Sequence, residues 1–108
     1  MLFGGNYPNN DSIKLLTPED FKKQIHNKKV QLIDIRTSGE FRSGSIKGSK
    51  NIDFYSSSFN TEFSKLKKDK AVYIFCRTGT RSRHAANKLA KMGFTNIIDL
   101  KGGIVRWN

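Results

Sequence analysis

The sequence contains a single cysteine, Cys76, in a setting that favours nucleophilic sulfur chemistry. Cys76 directly follows the most continuous apolar run of the chain, at positions 71–75. A turn-forming stretch with Gly79 comes next, and a helical stretch begins near Arg81. Backbone N–H groups of such a loop, the N-terminus of the helix and the charges of Arg77 and Arg81 all favour an anion at this point. We therefore expect Cys76 to be stabilised as a thiolate, the nucleophilic form of cysteine.

The alternative for Cys76 is an inert core residue, because free cysteines are often buried. The combination of a strand end, a glycine, two arginines and a helix start makes the reactive interpretation the favoured one. A count of one cysteine also excludes an internal disulfide, a zinc cage built from cysteines alone and a Cys-x-x-Cys redox pair. With two histidines in the chain, a mixed cysteine and histidine metal cluster is not expected.

Length and charge limit the remaining possibilities. The 108 residues predict one domain, and 20 Lys and Arg against nine Asp and Glu favour anionic partners. The positive charge is concentrated after residue 54, where the sequence has eleven basic and three acidic residues. This half also contains Cys76. Nucleic acid is not an expected partner, since the lysines are not interleaved with aromatic residues. A single cysteine fits a reducing compartment, so we expect the cytoplasm, with neither a membrane span nor a signal peptide in the sequence given.

Strand-like and helix-like segments alternate along the chain, and these elements must position Cys76. This alternation predicts an α/β domain whose parallel sheet is covered by helices on both faces. Residues 1–12 are predicted to form an irregular arm, and residues 13–108 the domain. The predicted strands are 30–35, 51–53, 71–75 and 96–100, and the predicted helices are 17–27, 38–44 (a single short turn), 59–68 and 81–92.

Four segments in order carry a family resemblance. They are Leu32–Arg36, ending in Asp-x-Arg; Glu40-Phe41 followed by Gly44–Ser49; the loop Cys76–Ser82; and Leu100–Ile104 with Trp107. Together they cover about residues 13–107, and they resemble the motifs of rhodanese-like sulfurtransferases. The resemblance implies a single rhodanese-like domain with a parallel five-stranded sheet flanked by helices on both faces.

The resemblance also implies a reaction. Cys76 would take a sulfane sulfur from thiosulfate, polysulfide or another persulfide, become Cys–S–SH and pass the outer sulfur to cyanide, a thiol or a protein acceptor. No metal or organic cofactor is implied. The substrate-binding loop would consist of Arg77, Thr78, Gly79, Thr80, Arg81 and Ser82, whose backbone N–H groups cradle the transferred sulfur. Ser82 is expected at the helix cap or in its first turn, where it can hydrogen-bond the loop.

The resemblance gives roles to two loop arginines, and the sequence itself suggests roles for three other charged residues. Arg77 is placed to attract a sulfonate-type donor, and Arg81 to brace the loop or bind an anion. Asp34, at the end of an apolar strand, is expected to support the loop through Arg81 or through backbone N–H groups. Arg36 and Glu40, which also support the loop, are four residues apart and could pair with each other, in a mainly structural role.

The sequence departs from the family pattern at two places. The family's His-Ile-Pro-Gly-Ala is Ser-Ile-Lys-Gly-Ser in residues 45–49, which we expect to alter loop rigidity more than chemistry. Arg77 and Thr80 occupy loop positions that vary in the family and tune substrate choice. The sequence therefore leaves the physiological donor, the acceptor and the oligomeric state open.

Two other functions are weighed against sulfur transfer. Cysteine-dependent phosphatases and arsenate reductases use a Cys-x5-Arg loop, whereas Arg81 follows Cys76 in a Cys-x4-Arg spacing and Ser82 takes the next position. The shorter loop is expected to suit a sulfur atom and to exclude phosphate. The third possibility is a non-catalytic rhodanese-like binding module. Inactive members often lose the loop cysteine, and this chain keeps it.

Overall fold

The computed structural model describes residues 10–107, which form a five-stranded sheet. The strands are β1 Ile13–Leu16, β2 Gln31–Asp34, β3 Lys50–Asn51, β4 Val72–Phe75 and β5 Ile97–Leu100. They are arranged in the order β1-β5-β4-β2-β3, and every neighbouring pair is parallel. This arrangement confirms the predicted parallel five-stranded α/β fold. The boundary proposed at residue 12 stays a prediction, and residues 1–9 of the proposed arm lie outside the described residues.

Strand β4 is the middle strand of the sheet, and all four of its residues are buried. Strand β5 is equally buried, and β2 is buried from Leu32 to Asp34. Strands buried on both faces have near-continuous apolar sequences, which explains the lack of alternation in these segments. Cys76 begins the loop that follows β4. It therefore lies at the centre of the end of the sheet formed by the carboxyl ends of the parallel strands.

Helices cover both faces of the sheet. They are α1 Pro18–Ile25, α2 Ser38–Arg42, α3 Phe59–Ser64 and α4 Thr80–Lys91, with a 3-10 turn at Ile104–Arg106. Side chains of α3 and α4 pack on one face, where Phe59, Phe63 and Leu89 are fully or almost fully buried. Helix α1 packs on the other face through Phe21, whose ring meets Trp107 edge to face at 5.8 Å.

Helix α1 begins as the sequence predicts and ends two residues early. The Thr17 side chain accepts a hydrogen bond from the Asp20 N–H, and Pro18 occupies the first position. Beyond Ile25 the chain leaves the helix, because His26 adopts an extended conformation and Asn27 has a φ of 55°.

Two elements differ more from the prediction. Helix α3 ends at Ser64 instead of residue 68 because the Gln31 side chain holds the following turn. Its amide oxygen accepts from the Lys67 N–H at 2.7 Å, and its amide nitrogen donates to the Lys67 carbonyl at 3.0 Å. Strand β1 is absent from the predicted elements. Its partner is β5, more than 80 residues later, so no local pattern specifies it.

Candidate active site

The sulfur of Cys76 lies at the carboxyl end of β4, enclosed by its own loop. The side chain is buried, with 1% of the residue exposed. The backbone N–H of Gly79 donates to Sγ at 3.1 Å, and the N–H of Ser82 donates at 3.3 Å. Both donors favour negative charge on the sulfur. The loop therefore forms a small concavity with the thiol at its base.

Gly79 and Ser82 orient these donors through the local backbone. Gly79 precedes α4 with a φ of 106°, a left-handed conformation that turns its N–H back towards the sulfur. Ser82 is fully buried in the first turn of α4, where its hydroxyl donates to the Gly79 carbonyl at 3.2 Å. The Cys76 thiol lies 3.5 Å from the same hydroxyl oxygen. The N-terminal end of a three-turn helix thus faces the sulfur and adds its partial positive charge.

Arg81 braces the loop through an ion pair with Glu40. Its two terminal nitrogens donate to the two carboxylate oxygens of Glu40 at 2.7 and 3.0 Å. Glu40 is the third residue of α2 and also accepts from the Thr37 N–H at 3.0 Å, completing a capping box with the Thr37 side chain. The Arg81 hydrogen bond, with help from Thr37, lowers the pKa of Glu40 to about 2, and the same pair raises the pKa of Arg81.

We predict that Glu40→Gln lowers the free energy of unfolding by about 1–2 kcal/mol at pH 7, because Arg81 loses a charged partner that is only partly screened by solvent. Gln retains the capping box, so the change isolates the ion pair. A carboxyl with a lowered pKa contributes stability that is present above pH 4.5 and lost as pH falls towards 2. Urea unfolding at stepped pH measures this as a difference between wild type and variant that vanishes in acid.

The control for Glu40→Gln is Glu62→Gln, which removes an exposed pair with Lys65. Exposed pairs contribute about 0–1 kcal/mol, so this variant is expected to differ little from wild type at any pH. Equal stability of Glu40→Gln and wild type at pH 7 would contradict a stabilising role for the Arg81 pair.

The predicted roles of Asp34 and Arg36 require correction. Arg36 does not pair with Glu40, and Asp34 does not contact Arg81. Instead, the Arg36 guanidinium donates to both oxygens of Asp34, at 2.6 to 3.1 Å, and the Arg36 N–H donates to Asp34 Oδ1 at 2.9 Å. The Ser45 hydroxyl donates to Asp34 Oδ2 at 2.7 Å. The reason is local: a carboxylate at a strand end accepts readily from the N–H two residues later, and the Arg36 side chain follows its backbone.

The buried Asp34–Arg36 pair lies at the end of β2, outside the loop that contains Cys76. Asp34 is opposite Phe75 in the register of β2 and β4, one residue before Cys76. Both residues of the pair are buried, with Asp34 at 0% and Arg36 at 5% exposure. Through the Ser45 hydroxyl and the Gly44 carbonyl, which accepts from Arg36 at 2.7 Å, the pair joins the end of β2 to the segment after α2.

The C-terminal segment, residues 103–107, lies against the other side of the loop. The Ile104 N–H donates to the Cys76 carbonyl at 2.9 Å, and the Val105 N–H donates to the Arg77 carbonyl at 3.2 Å. Gly103, with a φ of 72°, lies directly against the Arg77–Thr78 peptide, where a Cβ atom would overlap the Arg77 carbonyl. This glycine is therefore required for the close approach of the two backbones.

Sequence reasoning missed two of these contacts, and each has a readable signal. The Thr37-x-x-Glu40 pattern is a capping box, which orients the Glu40 carboxylate. The Gly102-Gly103 pair belongs to the C-terminal motif of the resemblance, and paired glycines also mark close backbone approaches. Of the other predicted loop residues, Arg77, Thr78 and Thr80 are exposed around the enclosed sulfur.

Two further observations concern the described part of the chain, residues 10–107. No three His, Cys, Asp or Glu side chains are grouped there as ligands for a metal ion. Within the same residues, no helix combines the length and apolar composition that crossing a bilayer requires. The expectation that the protein works without a metal or cofactor stays a prediction.

The protein is a parallel α/β domain with one buried cysteine directly after its central strand. Backbone N–H donors surround the sulfur of this cysteine. These features define a class of proteins with a single-cysteine active-site loop. The sequence model described as Rhodanese-like domain matches residues 17–108. The chain therefore belongs to the rhodanese-like domain family, as its motifs indicated.

Individual relatives agree with this family. The YqhL protein of Bacillus subtilis (strain 168) is 40% identical over 95 residues, which cover 88% of this chain and 72% of that protein. A protein of Allochromatium vinosum named sulfurtransferase is 35% identical over 78 residues, covering 72% and 71% of the two chains. The crystal structure of a rhodanese-like domain protein from Staphylococcus aureus has a TM-score of 0.77 at 28% identity, covering 88% and 91%. These relatives support sulfur transfer as the general activity.

Proposed function

We propose that this protein is a sulfurtransferase that carries a sulfane sulfur as a persulfide on Cys76. The observation that carries the proposal is the pair of N–H donors, from Gly79 and Ser82, directed at the Cys76 sulfur. Such donors stabilise a thiolate, and a thiolate is the form that attacks a sulfur–sulfur bond. The proposed setting is the reducing cytoplasm, where a single thiol remains available for this chemistry.

The proposed reaction has two displacement steps at sulfur. In the first, the Cys76 thiolate attacks the outer sulfur of thiosulfate, a new S–S bond forms, and the old S–S bond breaks with its electron pair leaving on sulfite. In the second, an acceptor thiolate or cyanide attacks the outer sulfur of the Cys76 persulfide, and the Cys76 thiolate leaves. No net oxidation of the protein occurs. Since the chain has no second cysteine, the persulfide has no internal thiol to resolve it.

Exposure and charge around the loop suggest the class of donor. Because Cys76 is 1% exposed, a donor has to present a slender group at the mouth of the loop. Arg77 is exposed next to the thiol and supplies a full positive charge for an anion. Small anionic donors such as thiosulfate or polysulfide fit both features, and the proposed acceptor is a thiol, free or on a protein.

The position of Arg81 argues against phosphate chemistry. A phosphatase loop needs its arginine turned towards the bound oxyanion, but Arg81 is engaged by Glu40 through two short hydrogen bonds. The following residue, Ser82, directs its N–H at the sulfur itself. The loop is therefore arranged around one sulfur atom. A purely binding role is the remaining competitor, and it predicts that Cys76 never acquires sulfur.

Intact-mass measurement after incubation with thiosulfate, and separately with polysulfide, tests the proposal. We expect a gain of about one sulfur atom, located by fragmentation on the peptide with Cys76 and removed by cyanide or dithiothreitol. The donor that loads faster identifies the substrate class. Phosphate esters serve as the comparison substrates, and we expect the protein not to hydrolyse them.

Two results would overturn the proposal. One is a folded protein with a titratable thiol that gains no mass with either donor. The other is hydrolysis of a phosphate ester without any sulfur loading, which would restore the phosphatase interpretation.

A further inference from the structure

A groove with a volume of about 700 Å³ lies between α1 and the C-terminal segment, on the sheet face opposite α4. We call it the α1 groove. Neither the proposed persulfide chemistry nor the sequence motifs assign it a role. The residues lining it include Glu19, Lys22, Lys23, His26, Arg106 and Trp107.

The α1 groove combines positive charge with an aromatic wall. Lys22, Lys23 and Arg106 bring three full positive charges, and Glu19 is the one carboxylate among its lining residues. The Lys22 ammonium lies 4.8 Å above the centre of the Trp107 ring. Carboxylates and an apolar side chain are thus the complementary groups. A nucleic-acid strand is less complementary, because such sites stack successive bases on aromatic side chains and Trp107 is the one Phe, Tyr or Trp among the described residues that line the groove.

The groove is connected to the candidate active site through three consecutive residues. Val105 donates its N–H to the Arg77 carbonyl in the loop, and Arg106 and Trp107, the next two residues, line the groove. Val105 itself is 52% exposed, one of two large apolar side chains that are so exposed among residues 10–107. The backbone that is hydrogen-bonded to the loop therefore continues directly into the wall of the groove.

We propose that the α1 groove binds an acidic segment of the protein that accepts sulfur from Cys76. The proposal rests on the proposed function, because it identifies the acceptor of that reaction as an acidic protein. Acidic side chains pair with Lys22, Lys23 and Arg106, and an apolar side chain of the partner packs against Trp107. A small sulfur anion uses neither the volume nor the aromatic wall, whereas a peptide segment uses both.

Binding is tested on the unloaded protein, without any sulfur chemistry. The probe is an acetylated synthetic peptide with four Glu, one Leu and a C-terminal Cys, and its matched control has Gln for every Glu. NMR titration of isotope-labelled protein is expected to shift the amide signals of α1 and residues 104–107, and the indole N–H of Trp107. We expect these shifts with the Glu peptide and not with the Gln peptide, and we expect them to weaken as salt is raised.

Charge-reversal variants distinguish binding in the groove from general attraction by the net positive charge of the protein. We expect Lys22→Glu and Arg106→Glu each to weaken binding by about fivefold or more. Lys91→Glu makes the same change in net charge at an exposed position of α4, on the opposite face of the sheet, and is expected to alter binding by less than about twofold. Equal weakening by all three variants would overturn the proposal. NOEs from residues 1–9 to the Trp107 indole in the free protein would also overturn it, since the chain's own segment would then fill the groove.

Transfer from persulfide-loaded protein tests the acceptor role. We expect the Glu peptide to take sulfur about tenfold faster than the Gln peptide, and Arg106→Glu to remove this preference. Loading without any preference between the peptides would overturn the proposal and leave the sulfurtransferase function standing. Peptide binding by a protein that never loads sulfur would overturn the sulfurtransferase function, and with it the acceptor role.

Discussion

Replacing Cys76 with Ser is expected to abolish persulfide loading and to lower sulfur transfer by about 1000-fold or more. The substitution changes one atom, from sulfur to oxygen, at the base of the loop. A serine hydroxyl is not ionised at neutral pH and forms no persulfide. The chain offers no second thiol to replace it. Intact mass and thiocyanate formation from thiosulfate and cyanide measure the two losses.

The same substitution is expected to leave the fold intact, which makes the result interpretable. The new hydroxyl lies where the N–H groups of Gly79 and Ser82 already point, so it finds hydrogen-bond partners in the buried site. Thermal unfolding followed by circular dichroism provides the control, and we expect a midpoint within a few degrees of wild type. Transfer activity retained by a folded Cys76→Ser protein would show that Cys76 is not the sulfur carrier.

The general fold was predictable because its strongest signals are local and periodic. Strand β4 is a continuous apolar run, β2 and β5 each carry adjacent apolar residues, and the Thr17-Pro18 cap marks the start of α1. The cap, the run lengths and the alternation of strands with helices together indicate a parallel sheet covered on both faces. Strand β1 and the end of α3 depended on distant partners, β5 and Gln31, and could not be derived from their own residues.

The candidate site was predictable in outline and less so in its ion pairs. The strand-end cysteine, Gly79 and the helix start identify the loop. Its hydrogen-bond donors are backbone N–H groups, so their presence does not depend on which side chains the loop carries. The partners of the charged side chains depend on three-dimensional geometry. Arg81 reaches Glu40, which is 41 positions away in sequence, while Arg36 turns back to Asp34, two positions away. Sequence spacing alone is compatible with an Arg36–Glu40 pair, which does not form.

Replacing Gly103 with Ala is expected to cost about 2–4 kcal/mol in the free energy of unfolding and to slow sulfur transfer by about 100-fold. Two effects combine. The φ of 72° and ψ of −172° at Gly103 lie in a region that residues with a Cβ atom rarely occupy. The added Cβ would also lie 2.6 Å from the Thr78 nitrogen and overlap the Arg77 carbonyl, so the loop backbone has to move.

The loss of transfer follows from that movement. Displacing the Arg77–Thr78 peptide strains the hydrogen bonds that Ile104 and Val105 make to the loop, and it shifts the N–H donors around the sulfur of Cys76. Chemical unfolding and steady-state transfer rates measure the two effects on the same protein. Gly39→Ala is the matched control, since a Cβ there meets no atom within 4 Å in exposed α2, and Ala favours a helix. If Gly103→Ala behaved like Gly39→Ala, the C-terminal segment would not be holding the loop.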